Sequence, residues 1–178
     1  MKATGVVRRI DDLGRIVIPK EIRKSLRIRE GENLEIFVDH NENVILRKYS
    51  LMNKINDLAN DFTDSIHTFT NNNVIITDLD NIIAVSGPLK KDYLDKPISS
   101  SLLTSIKRRE NIFERHKKNI ELIENDQLEA TYALSTIVAN GDAAGLVIIL
   151  STEDNISEEN DKIARITSKF LAKHLEEW

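Results

Sequence analysis

The sequence predicts an α+β chain in two parts: a small strand-and-helix head over residues 1–50, and a larger domain over residues 51–178 in which helices flank an antiparallel sheet. Three observations predict it. The first is the stretch DDLGRIVIPKEIRKSL, residues 11–26, which packs a turn, a strand, a proline-started helix and several basic side chains into very few residues. The second is a change of charge sign. Residues 1–50 hold 11 Lys/Arg against 8 Asp/Glu, a balance of +3, whereas residues 51–178 hold 14 against 21, a balance of −7. A basic head on an acidic body is the asymmetry expected when one part approaches a polyanion. The third is the order of apolar patterns after residue 50: helix, hairpin, helix, three strands and helix, which is an α+β sensor order.

In the head, residues 2–10 read as a strand through β-branched Val6, Val7 and Ile10. Successive side chains point to opposite faces, so Arg8 and Arg9 lie on different surfaces. Gly14 ends the turn at little cost in φ, and the chain doubles back as strand Arg15–Ile18. Pro19 has no N–H for a ladder and suits the first turn of helix Lys20–Leu26. That helix carries Ile22 and Leu26 on one face, with Arg23, Lys24 and Arg27 on the others. Gly31 punctuates a turn, residues 33–38 alternate through Leu34, Ile36 and Val38, Asp39–Asn43 turn, and residues 44–48 return. So small a core is not expected to stand alone, and the head is expected to need a partner chain.

Tyr49-Ser50 is all the linker there is. Ser50 suits an N-cap for a helix striped by Leu51, Ile55, Leu58, Phe62, Ile66 and Phe69, a near-heptad that packs into its own domain or onto a twin. Val74–Thr77 and Ile82–Val85 read as a hairpin. Residues 89–97 read as a lysine-rich loop or short helix, Ser99–Arg109 as a helix, and Asn119–Ile123 and Glu129–Ala139 as strands. Asn140-Gly141-Asp142 is a hairpin turn, and the nearly continuous apolar run Ala144–Leu150 predicts a central strand covered on both faces. The last helix starts at Ser157, with Glu158 and Glu159 in its first turn, and carries Ile163, Ile166, Phe170 and Leu175.

Several classes are excluded or disfavoured. The chain has no cysteine, so disulfides, thiolate metal sites and Cys nucleophiles are out. No apolar run approaches the roughly 20 residues that span a bilayer, and the start shows no signal-peptide pattern; a cytoplasmic protein with no membrane contact is expected. His40, His67, His116 and His174 are scattered without metal-site spacing. Asp78 and Asp80 fit backbone-bonding turn residues better than an acid pair. Lys107-Arg108-Arg109 reads as a solvated helix face, with a second nucleic-acid contact or an anion clamp as the alternative. Tyr93 and Tyr132 suit a pocket or a core equally. Neither a P-loop nor a nucleophile elbow is present, so no enzyme is expected.

Gly5-Val-Val-Arg8-Arg9-Ile-Asp-Asp-Leu-Gly14-Arg15-Ile-Val-Ile-Pro19-Lys-Glu-Ile-Arg23-Lys24, with its order G-R-x-x-I-P-x-x-I-R, resembles the DNA-binding domain of the AbrB-type transition-state regulators over about Lys2 to Tyr49. The remainder resembles a GAF-type sensor domain through the Asp78–Gly87 hairpin and the Gly141–Leu150 strand. It lacks the Asn-Lys-Phe-Asp-Glu set of cyclic-nucleotide-binding members and any cysteine for a bilin. The first resemblance implies swapped β-hairpins of two subunits closing a small barrel on double-stranded DNA. Together they imply a sporulation-type transcription regulator, activator or repressor, that is a homo-oligomer: a dimer of heads, and a tetramer if the 51–69 and 157–177 helices add a second interface. No cofactor is implied beyond an unidentified small-molecule ligand.

Phosphate neutralisation supplies much of the affinity for DNA, and the planar Arg fork also reads guanine edges. By the resemblance, the DNA contacts are Arg8, Arg15, Arg23 and Lys24, with Arg9 and Lys2 added. Lys24 stands where the family often has arginine, which keeps the charge, loses the fork and favours phosphate over base. Two alternatives stay open: a MazE-type antitoxin, which shares the head but has a short disordered tail, and a small-molecule-binding protein whose head only assembles subunits.

Overall fold

Residues 6–31, 33–48, 52, 55–153 and 155–177 are described by the computed structural model, in which the chain divides into two units, Met1–Tyr49 and Ser50–Trp178. The first is shaped by two turns with one wiring. Asp11 Oδ1 accepts from the N–H groups of Leu13 (3.0 Å) and Arg15 (2.8 Å), and Asp39 Oδ1 accepts from those of Asn41 and Asn43 (both 2.9 Å). In each turn the Asp N–H also donates across to the carbonyl four residues on, at 3.1 Å. The fourth residue takes a positive φ, +76° at Gly14 and +62° at Glu42, as a three-residue hairpin loop demands.

Strands β1 (Leu34–Val38) and β2 (Val44–Lys48) pair antiparallel around the second turn, from Leu34 opposite Lys48 to Val38 opposite Val44. Helix α1 (Lys20–Ser25) follows Pro19, as expected. The first turn has no ladder beyond it. Residues 6–10 and 15–18, expected as strands, form no strand among the described residues, and the arms meet at the turn through the bonds between Asp11 and Arg15. The reason is weak local support: an isolated two-stranded hairpin is marginal, and among the described residues no strand pairs with this one. Of the 16 large apolar side chains exposed among the described residues, 13 lie between Val6 and Leu46, with Val7 at 90%.

The second unit is an antiparallel five-stranded sheet in the order β4-β3-β7-β6-β5, formed by β3 (Asn73–Thr77), β4 (Ile82–Ser86), β5 (Asn111–Glu121), β6 (Gln127–Ala139) and β7 (Asp142–Ser151). Strand β7 is central, and its alternation feeds two cores. Val147 and Ile149 join Val74, Ile76, Ala133, Ile137 and Leu171 on one face; Leu146, Ile148 and Leu150 join Ile75, Leu102, Ile106 and Leu134 on the other. Helices α2 (Asn56–Thr70) and α5 (Glu158–Glu176) cover the first face, while α3 (Lys90–Tyr93) and α4 (Ser100–Arg108) pack against the other. Each fully buried Ile or Leu is worth roughly 1.5–3 kcal/mol of transfer free energy.

The Asn140-Gly141 turn has φ of +51° and +83°, the pair of positive values a type I′ hairpin requires. At α5, Ser157 N–H donates to Asn160 Oδ1 at 2.8 Å, closing the N-terminus. Two further expectations need correction. Strand β5 begins at Asn111 instead of 119, held by pairing to β6 despite its charges. Its register with β6 breaks between Glu114 and Lys118, where three residues oppose Thr131 alone. Phe69, read as part of the inward stripe of α2, is 89% exposed, because the sheet takes Ala59, Thr63 and Ile66. The expected N-cap Ser50 and stripe residue Leu51 lie outside the described residues.

Candidate nucleic-acid interface

Arg15 is the best-defined basic side chain of the first unit. Its own turn fixes it: Nε donates to Asp11 Oδ2 at 2.8 Å, while the side chain stays 70% exposed. The two terminal guanidinium nitrogens, the edge that clasps a phosphate or reads guanine, carry no bond among the described residues. The Arg15 backbone N–H, then its side chain, hold the Asp11 carboxyl below its ordinary value, so it is ionised and acceptor-only at neutral pH. The second turn holds Asn43 in the same place, Nδ2 to Asp39 Oδ2 at 2.9 Å, and lowers Asp39 likewise.

Arg8 and Arg9 are exposed on the 6–10 arm, and Arg23 and Lys24 are exposed in the last turn of α1. Lys2 lies outside the described residues. Arg8 is drawn toward α1: it lines an apolar cleft of about 270 Å³ with Val6, Ile16, Pro19, Ile22 and Leu26. Arg9 does not line that cleft. Sequence reasoning did not single out Asp11 as the anchor of Arg15, although an Asp opening a tight turn is the signal for it. It also missed Arg47, whose guanidinium stacks over Phe37 at 5.1 Å.

In the second unit, Asp78 Oδ1 accepts from the N–H groups of Asp80 (2.7 Å) and Asn81 (2.6 Å), the turn role expected. Tyr93 and Tyr132 are core residues. The Tyr93 hydroxyl donates to Asp126 Oδ2 at 2.6 Å, and burial, with that carboxylate, pushes its phenol well above the ordinary value. The 107–109 run offers no joint clamp: Arg109 caps α4 and donates to the Gly141 carbonyl, and Arg108 pairs with Glu110 at 3.8 Å. Among the described residues, no group of three or more His, Asp or Glu is placed to hold a metal. No described helix is long and apolar enough to cross a membrane.

Comparison with known proteins matches two parts of the chain separately. The family model described as "Stage V sporulation protein T C-terminal, transcription factor" matches residues 54–176, and that described as "Antidote-toxin recognition MazE, bacterial antitoxin" matches residues 7–52. Stage V sporulation protein T of Bacillus subtilis (strain 168) is 46% identical over 178 residues, covering 99% of this chain and 100% of that one. Transition state regulatory protein AbrB of the same organism is 57% identical over 49 residues, 28% of this chain and 50% of that one, which bears out the resemblance of the head.

Among solved structures, the type II free methionine-R-sulfoxide reductase from Thermoplasma acidophilum superposes with a TM-score of 0.56 at 11% identity, covering 72% of this chain and 96% of that one. The GAF domain of an Acinetobacter phosphoenolpyruvate-protein phosphotransferase gives 0.52 at 12%, covering 73% and 84%. At such identities the likeness shows the fold alone, and that fold is GAF-like.

Proposed function

This chain belongs to the stage V sporulation protein T family of transcription factors, and from that premise we propose a sporulation transcription regulator whose paired heads grip double-stranded DNA and whose GAF-like domain passes a small-molecule signal to them. The contacts are Arg8, Arg15, Arg23 and Lys24, with Arg9 and Lys2 in support. The observation that carries the reading is the Arg15 fork, tethered at Nε by Asp11 and left open at its other edge. The exposed apolar surface of the head supports its pairing with a second chain.

The finer assembly we assign is a tetramer in the cytoplasm, associated with the nucleoid. Phe62 of α2 meets Phe170 of α5 with ring centroids 5.1 Å apart, and Phe69, Ile166 and Phe170 stand exposed on these two helices, a surface suited to the second interface. No reaction and no cofactor are part of this reading.

The test is binding of a duplex DNA panel by the full-length protein and Arg15→Ala across a salt series. The wild type is expected to show a log–log salt slope of several units, about 0.9 per phosphate contact. Arg15→Ala should lose affinity by about tenfold or more and lower the slope. Absence of binding by either protein at low salt counts against the reading. The match of residues 7–52 to the MazE model keeps the antitoxin alternative in view. Rapid proteolytic loss of everything beyond residue 50 would revive it, whereas the five-stranded sheet there predicts resistance.

A further inference from the structure

The sheet of the second unit has five strands, but only two helices lie on its α2/α5 face. Helix α2 lies over β3 and β4, and α5 over β6 and β7, which leaves a trough between α5 and β5. Alternate residues of β5 line it: Asn111 at one cavity, Phe113 and Arg115 at another. The second is closed by its own contacts, since Arg115 pairs with Glu158 and stacks over Phe113 at 5.2 Å. The first is open, with a volume of about 480 Å³.

The chemistry of that cavity is unlike a core. Six of its eight lining residues are polar: Asn111, Ser135, Thr136, Arg165, Ser168 and Lys169. Ser135 and Ser168 are 2% and 3% exposed, buried hydroxyls where a helix meets a sheet and apolar contacts are the norm. Their hydrogen bonds are short of protons. Ser135 Oγ donates to Asn111 Oδ1 (2.6 Å), Ser168 Oγ to the Arg165 carbonyl (3.0 Å), and the two hydroxyls also touch each other at 2.8 Å, so two protons serve three contacts. Such hydroxyls can turn toward a stronger acceptor.

Two cations overhang them from one face of α5, four residues apart. Asp161 takes Arg165 through Nε alone, at 2.9 and 2.8 Å, and the terminal nitrogens bond to nothing among the described residues. Lys169 has no ion-pair or hydrogen-bond partner among the described residues. No carboxylate lines the cavity. Two cations, an amide and hydroxyl donors around one space match a dianionic group with three acceptor oxygens. We infer that this cavity, between Asn111, Ser135, Ser168 and the Arg165/Lys169 pair, binds a small phosphate-bearing metabolite. The inference deepens the sensor reading of the second unit and rests on it for any effect on DNA.

The probe is inorganic phosphate, titrated calorimetrically into the full-length protein without DNA, against sodium chloride of equal ionic strength. Wild type and Lys162→Gln, the same charge change on an exposed part of α5 outside the cavity, are expected to bind alike. Lys169→Gln should bind about tenfold more weakly, the size of one charge-assisted hydrogen bond. No phosphate binding above chloride overturns the site. So does equal weakening by both variants, or none by either, as when phosphate sits only on the basic head. The regulator reading fails separately: phosphate binding sensitive to Lys169 in a protein without DNA affinity leaves the site standing and removes the regulator.

Discussion

Arginine at position 15 is more than its turn requires. The equivalent turn closes with Asn43, whose amide reaches the Asp39 carboxylate and ends there. Arg15→Asn should therefore keep the fold and lose DNA affinity by at least about tenfold, checked by thermal midpoint and by binding on the same samples. Asp11→Asn removes the anchor of the fork and should weaken binding, while Asp39→Asn alters an equivalent turn without moving a fork and should not. Both carboxyls are lowered in the folded state, so their support of the turns is complete above an unfolded value of about 4 and is lost as pH falls through the folded values. Carboxyl resonances of Asp11 and Asp39 should accordingly titrate below ordinary aspartates, leaving the turns indifferent to pH near neutrality. Gly145 is constrained by packing: a Cβ there would sit 1.9 Å from the Thr77 carbonyl oxygen in the next strand. Gly145→Ala should cost on the order of 1–3 kcal/mol or more, seen as a lower denaturation midpoint.

Elements whose signals are local were legible. The start of α5 follows from Ser157 and the acidic first turn, and the structure adds the Asn160 side chain as the acceptor that closes it. Asn160→Ala should cost about 1 kcal/mol and lower the midpoint by a few degrees. The Asn140-Gly141 turn and the central place of β7 were equally readable, from two residues that accept positive φ and from an apolar run too long for a half-buried strand. Elements fixed by distant partners were not. Glu114–Lys118 has no apolar alternation, and it lies between residues 111–114 and 118–121, whose pairing with β6 makes the strand. Residues 6–18 show the reverse: the local pattern says hairpin, but among the described residues no ladder forms beyond the turn. Phe69 has the right spacing to face inward, but the sheet is covered by smaller neighbours. The basic side chains proposed as DNA contacts belong to one motif and could be named from it, whereas the α5–β5 cavity joins residues as far apart as Asn111 and Ala172, which no spacing rule connects.

At the scale of the molecule, the two units make different demands. Among the described residues the buried apolar core begins at Met52, so the second unit has a core within one chain, and the head's described apolar side chains are largely exposed. Thermal unfolding of the full-length protein should show a head transition that rises with protein concentration and a second that depends on it less. Sedimentation at micromolar concentration should find no monomer. Ile166→Glu, which places a charge on the exposed surface of α5, should lower the assembly by one step while leaving the paired heads intact. An unchanged sedimentation coefficient would remove α5 from the interface.

The break in β5 bears on what this assembly does not become. A sheet with free ends can template further strands, and proteins gathered densely on a long polymer are brought close enough for end-to-end joining to run away into fibres. Here the β5 end carries Glu114, Arg115, His116, Lys117 and Lys118 across the point where three residues oppose one, so an incoming strand would meet an irregular, charged border. The opposite end, β4, is five residues long and flanked by the Asn81–Pro97 bridge. Growth of the sheet is therefore capped at both margins. Repairing the register and charge of residues 114–118 should turn a discrete particle into one that polymerises.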